Sequence, residues 1–92
     1  MNKQYTLEKL PGKVENFIKR LDKSIQRQID EAFEYICQSP FRHENPTIIR
    51  KFHGKKKGFY RYRIGDIRFI YRVDKKAKLI RIMQIDNRGD IY

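Results

Sequence analysis

The sequence predicts a small α+β fold, with an N-terminal helical hairpin packed on one face of a small antiparallel sheet. Three observations carry that expectation. Apolar residues in the first half recur at helical spacing, and those in the second half alternate as in strands. Gly65-Asp66 sits between two alternating runs, as a two-residue hairpin turn does. The 92 residues are expected to form one domain, 1–92. A chain of this size hides only about 60% of its unfolded surface, so one core has to serve all of it. Six Tyr and six Phe supply that core and argue against disorder.

Taken in order, Tyr5 and Leu7 alternate with Gln4, Thr6 and Glu8, which suggests a short first strand. Pro11 suits the first turn of a helix, where its missing N–H is harmless. Val14, Phe17, Ile18 and Leu21 then form an apolar stripe. Asp22 is placed to cap a second helix with the stripe Ile25, Ile29, Ala32 or Phe33, and Ile36. Ser39-Pro40 ends it. Residues 41–46 read as a loop, followed by Ile48 and Ile49, then by His53-Gly54 and the run Lys55-Lys56-Lys57-Gly58. Strands are expected at Phe59–Ile64, Ile67–Val73 and Leu79–Ile85, with a looser turn over Asp74–Ala77.

Charge is the strongest compositional signal. The chain carries 22 Lys+Arg against 11 Asp+Glu, for a net charge of +11. Residues 1–47 hold eight basic and seven acidic side chains, whereas residues 48–92 hold fourteen and four. An excess confined to one half favours a polyanionic partner, most simply a nucleic acid. The lone Cys37 excludes an internal disulfide framework and a zinc-finger cluster. No apolar run approaches the ~18 residues of a membrane span, and MNKQYTLEKL has no apolar signal-peptide core. A cytoplasmic protein is expected. No acidic cluster suited to magnesium and no Gly-rich nucleotide cradle is present, so any chemistry is expected to need neither metal nor cofactor.

The hairpin register sharpens the charge argument. A two-residue turn at Gly65-Asp66 pairs Ile64 with Ile67, Arg63 with Arg68, Tyr62 with Phe69 and Arg61 with Ile70. One face then carries Tyr60, Tyr62, Ile64, Ile67, Phe69, Tyr71 and Val73, a core face for the helices. The other carries Phe59, Arg61, Arg63, Arg68, Ile70 and Arg72. If Val73 pairs with Lys78, Arg81 joins this second face across from Ile70. Like charges facing each other cost a few tenths to about 1 kcal/mol per pair. Either these arginines lie along apolar neighbours with their heads in solvent, or they bind an anion, which the clustering favours. Arg suits bidentate phosphate recognition.

Other candidates are weaker. Tyr92 lies four residues after Arg88; beside the arginine face, its phenol would be shifted toward the phenolate and able to act as a general base. His43 and His53 fall in loops without a partner at dyad spacing. Lys55, Lys56 and Lys57 fit either a phosphate contact or a solvated loop. Cys37 fits packing at the end of the second helix.

The stretch FHGKKKGFYRYRIGDIRFIYRVDKKAKLIRIMQIDNRGDIY resembles the C-terminal half of RelE/ParE-superfamily toxins of type II toxin–antitoxin systems. The shared features are the apolar-x-Gly before the sheet, the YRYRIGDIRFIYRV hairpin and the closing Arg-x-x-x-Tyr. The helical hairpin ending in QSPF matches in position too. The resemblance implies a RelE-like fold and, for the RelE-like branch, a metal-independent endoribonuclease that cuts mRNA on the ribosome. In that branch the 2′-hydroxyl attacks the adjacent phosphate. Matched by motif, Arg61 and Arg63 would orient the backbone, and Arg68 would hold the phosphate. Arg88 would stabilise charge or protonate the leaving group, and Tyr92 would act on the 2′-hydroxyl or stack on a base. Outside the motif, the lysine run Lys55, Lys56 and Lys57 and the face arginines Arg72 and Arg81 are expected, from charge and register, to add RNA contacts. Some relatives have Lys where this chain has Arg61 and Arg63, and a subset has a histidine before the final tyrosine that is missing here. The expected partners are a cognate antitoxin, mRNA and the ribosome. The superfamily also includes ParE-like gyrase inhibitors without nuclease activity, and a non-catalytic nucleic-acid-binding module is a further alternative.

Overall fold

The computed structural model describes residues 4–53 and 58–87. The chain runs β1 (Thr6–Leu7), α1 (Gly12–Lys19), α2 (Lys23–Gln38), β2 (Ile49–Lys51), β3 (Phe59–Ile64), β4 (Ile67–Asp74) and β5 (Leu79–Asn87). The strands form one sheet in the order β1-β5-β4-β3-β2. Its β3 to β5 portion is antiparallel, as expected; β2 adds an antiparallel strand beside β3, and β1 joins parallel to β5, through Thr6↔Leu79 and Leu7↔Ile80, and makes the sheet mixed.

Both helices start where their sequence signals stand. Pro11, with φ −58°, occupies the position just before α1, and its carbonyl accepts the Glu15 N–H at 3.0 Å. Asp22 occupies the corresponding position before α2, but its carboxylate makes no capping hydrogen bond. The backbone closes this end instead: the Gln26 N–H donates to the Asp22 carbonyl, and the Gln26 side-chain amide turns back to the Leu21 carbonyl at 2.9 Å. The buried face of α2 comprises Ile29, Ala32, Phe33, Ile36 and Cys37, so the stripe uses both Ala32 and Phe33.

That face meets the inward side of the sheet. The expected register of β3 with β4 is observed residue for residue from Arg61↔Ile70 to Ile64↔Ile67, and it continues to Tyr60↔Tyr71 and Phe59↔Arg72. It stacks Tyr62 on Phe69 with centroids 5.1 Å apart, and Tyr60 on Tyr71 at 5.6 Å. Phe33 of α2 meets Phe69 edge-on at 5.1 Å. Such pairs contribute about 0.5–1.5 kcal/mol beyond their area burial. The Tyr71 hydroxyl donates to the Pro40 carbonyl at 2.6 Å and ties the chain just after α2 to the sheet. Gly65, at φ 56°, takes the first central position of the hairpin turn, where a left-handed backbone favours glycine.

The β4–β5 register differs from the expectation. Val73 pairs with Ile80 rather than Lys78, because the Asp74 carboxylate accepts the Lys76 and Ala77 N–H groups and holds a longer turn, with Lys78 at φ 59°. The slip is two residues as far as Tyr71↔Ile82, so side chains up to that point keep their face, but Arg81 stands across from Arg72 and not Ile70. A bulge follows, since Tyr71 pairs with Ile82 and Ile70 with Gln84. The extra residue, Met83, resets parity, so that Ile80, Ile82 and Ile85 are all buried. Among the described residues, no helix is long and apolar enough to cross a membrane.

Candidate functional site

With both helices on the inward side, the outward side of the sheet is left to the arginines. Register places Arg50 across from Arg61, Arg63 across from Arg68, and Arg72 across from Arg81. Three facing pairs of like charge oppose folding by a few tenths to about 1 kcal/mol each. Four of these side chains, Arg50, Arg61, Arg63 and Arg68, line an open concavity of about 540 Å³ together with Thr47.

The sheet positions each member differently. Arg61 is buried, an uncommon state for an arginine, beside the equally buried Ile70 across from it. Arg68 is partly buried, and its Nη1 has no hydrogen-bond partner among the described residues. A buried charged donor left open is costly, and a bound anion would satisfy it. Arg63 Nη2 donates to Thr47 Oγ1 at 3.0 Å. Asp86 stands across from Arg68 on β5, but its carboxylate accepts the neighbouring Asn87 N–H at 2.8 Å. Guanidinium groups stay protonated at any physiological pH, and their planar forks match phosphate oxygens.

At the far end of the same face the charge is compensated. Arg81 Nε and Nη2 grip the Glu8 carboxylate at 3.0 and 3.2 Å, and that hydrogen-bonded acid raises the guanidinium above its ordinary range. Arg72 lies over the Phe59 ring, 5.9 Å from its centroid. Together with Glu8, Asp74 and Leu79 these two arginines line a separate cleft of only about 50 Å³.

The structure therefore brings Arg61, Arg63 and Arg68 together as the register predicted, and keeps Arg72 and Arg81 apart from them. Lys55, Lys56, Lys57, Arg88 and Tyr92 lie outside the described residues. Arg50 and Thr47 escaped the sequence reading because β2, only three residues long, was not recognised as a strand. The signal was present: the β-branched run Thr47-Ile48-Ile49 leads into Arg50, which alternates with the buried Ile49. Burial pushes the phenols of Tyr60, Tyr62 and Tyr71 up, with neighbouring tyrosines adding to the effect, so none of these three is a phenolate near neutrality. His43 serves the loop, its ring tilted by 31° against Tyr35 with centroids 4.5 Å apart.

Residues 9–92 match the family model described as the ParE toxin of type II toxin–antitoxin systems. The chain belongs to that family. Among curated proteins no significant sequence match was found. Among solved structures, the archaeal RelE–RelB complex from Pyrococcus horikoshii contains a chain 29% identical to this one, with a TM-score of 0.78 over 95% of this chain and 98% of that one. The RelBE2 toxin–antitoxin complex of Mycobacterium tuberculosis matches at 21% identity and a TM-score of 0.71, over 92% of this chain and 99% of that one. The isolated Escherichia coli RelE toxin matches at 16% identity and a TM-score of 0.72, over 92% and 85%. The last two share the fold. This member of the ParE toxin family thus has the RelE-like α+β architecture and is a type II toxin of the RelE/ParE superfamily.

Proposed function

We propose that the chain is a metal-independent endoribonuclease toxin that cleaves mRNA on the ribosome and is restrained by a cognate antitoxin. The observation that carries this reading is the concavity of Arg50, Arg61, Arg63 and Arg68, four cations converging on the face of the sheet opposite the helices. In-line attack by a ribose 2′-oxygen on the adjacent phosphorus forms the P–O2′ bond and breaks the P–O5′ bond. The products are a 2′,3′-cyclic phosphate and a free 5′-hydroxyl. Charge grows on the non-bridging oxygens in the transition state, where pre-placed guanidinium donors stabilise it. Arg68, with its open buried donor, is assigned to the scissile phosphate, and Arg61 and Arg63 to its orientation. Arg88 and Tyr92 are proposed, by motif, to exchange protons with the leaving 5′-oxygen and the attacking 2′-hydroxyl. The antitoxin is proposed because RelE structures similar to this chain include complexes with RelB.

The matched family model favours a second reading, a ParE-like gyrase inhibitor that cuts no RNA. One experiment separates the two. The purified chain is incubated with translating ribosomes and, in parallel, with gyrase and relaxed plasmid. New mRNA 5′ ends with normal supercoiling are expected; intact message with blocked supercoiling would replace the nuclease reading by the second one.

A further inference from the structure

We infer that Thr47 is a positioning residue for Arg63, and that the loop of residues 43–47 sets the direction of its hydroxyl. The effect on RNA rests on the nuclease reading; the contact itself does not. The Arg63 N–H donates to the Ile48 carbonyl at 3.0 Å, extending the β2–β3 ladder one step past Ile49↔Tyr62. This delivers the last loop residue beside the Arg63 side chain, where Thr47 Oγ1 accepts from Nη2 at 3.0 Å. A hydroxyl has a single proton, and Thr47 gives it to Asn45 Oδ1 at 2.8 Å. Its lone pairs are thereby left for the guanidinium.

Asn45 is held in turn. Its Oδ1 also accepts the Thr47 N–H at 3.0 Å, and its own N–H donates to His43 Nδ1 at 3.0 Å. The His43 ring rests on Tyr35 and meets Tyr62 edge-on at 5.9 Å. Thus Tyr62 on the core side and Arg63 on the outer side, adjacent in sequence, are joined a second time through the loop. The restraint matters because Arg63 faces Arg68 across the hairpin, and repulsion drives the two heads apart. Arg81 is held by a carboxylate that cancels its charge. The neutral Thr47 acceptor holds Arg63 with its full charge and its remaining donors available to a ligand.

The test uses the purified chain with Thr47→Val, Thr47→Ser and Asn45→Ala. The first readout is the Arg63 Nε–H resonance in protein labelled with ¹⁵N-arginine, which does not depend on activity. The second is affinity for a short RNA carrying 2′-deoxy substitutions, which binds but cannot be cut. Thr47→Val is expected to collapse the separate Arg63 signal and weaken binding by about threefold to tenfold, in the range of one ordinary hydrogen bond. Thr47→Ser should restore both, and Asn45→Ala, which keeps the hydroxyl but frees its direction, should fall between. An Arg63 signal unchanged in Thr47→Val, or lost equally in Thr47→Ser, would overturn the assignment. Wild-type protein that shows the restrained Arg63 signal but binds no RNA would support the contact and count against the nuclease reading alone.

Discussion

At the scale of single residues, the outer face sorts its arginines by what answers their charge. Arg81 has Glu8, Arg63 has a hydroxyl, and the Arg68 Nη1 has no partner among the described residues. The last condition opposes folding, so Arg68→Ala is expected to abolish growth inhibition while leaving stability unchanged or higher by up to about 1 kcal/mol, the cost of its facing pair with Arg63. Arg61→Ala should also abolish toxicity with folding intact. Growth assays paired with thermal unfolding check both, and retained toxicity in both variants would dismiss the site. These positions were legible because parity around Gly65-Asp66 decides which side chains share a face. Thr47 was not, since its role depends on a contact sixteen residues away in sequence.

At the scale of elements, the aromatic array of β3 and β4 carries the packing, and its protonation links it to pH. Burial raises Tyr71, Tyr60 and Tyr62 above the ordinary phenol value of 10.0. Above about pH 10 the unfolded chain sheds phenolic protons that the native state retains. Stability is therefore fully present below that pH and declines as pH rises past it. Tyr71→Phe leaves the Pro40 carbonyl without its donor, and is expected to lower stability by about 1–3 kcal/mol at neutral pH. The same variant should show a shallower alkaline decline, which denaturant titrations from pH 7 to 11 would measure; an equally steep decline would place the linkage elsewhere. The β3–β4 hairpin could be read from its turn and its alternation. The parallel β1–β5 pair joins residues more than seventy positions apart and leaves no local mark, and the bulge at Met83 overrides a simple period of two.

For the whole molecule, the division of labour follows from the mixed sheet. One face takes both helices and the aromatic core. The other keeps four clustered arginines at a cost in stability that the fold itself does not require. The uneven charge of the two halves of the sequence already pointed to this, because the balanced half folds as helices and the basic half supplies β2 to β5. The central claim is that the arginine concavity acts on an RNA phosphate without a metal. End-group analysis of RNA cut by the purified chain on ribosomes tests it most directly. The account predicts a 2′,3′-cyclic phosphate upstream and a 5′-hydroxyl downstream in wild type, and no cut with Arg68→Ala. A 3′-hydroxyl with a 5′-phosphate, or unchanged cutting by Arg68→Ala, would contradict it.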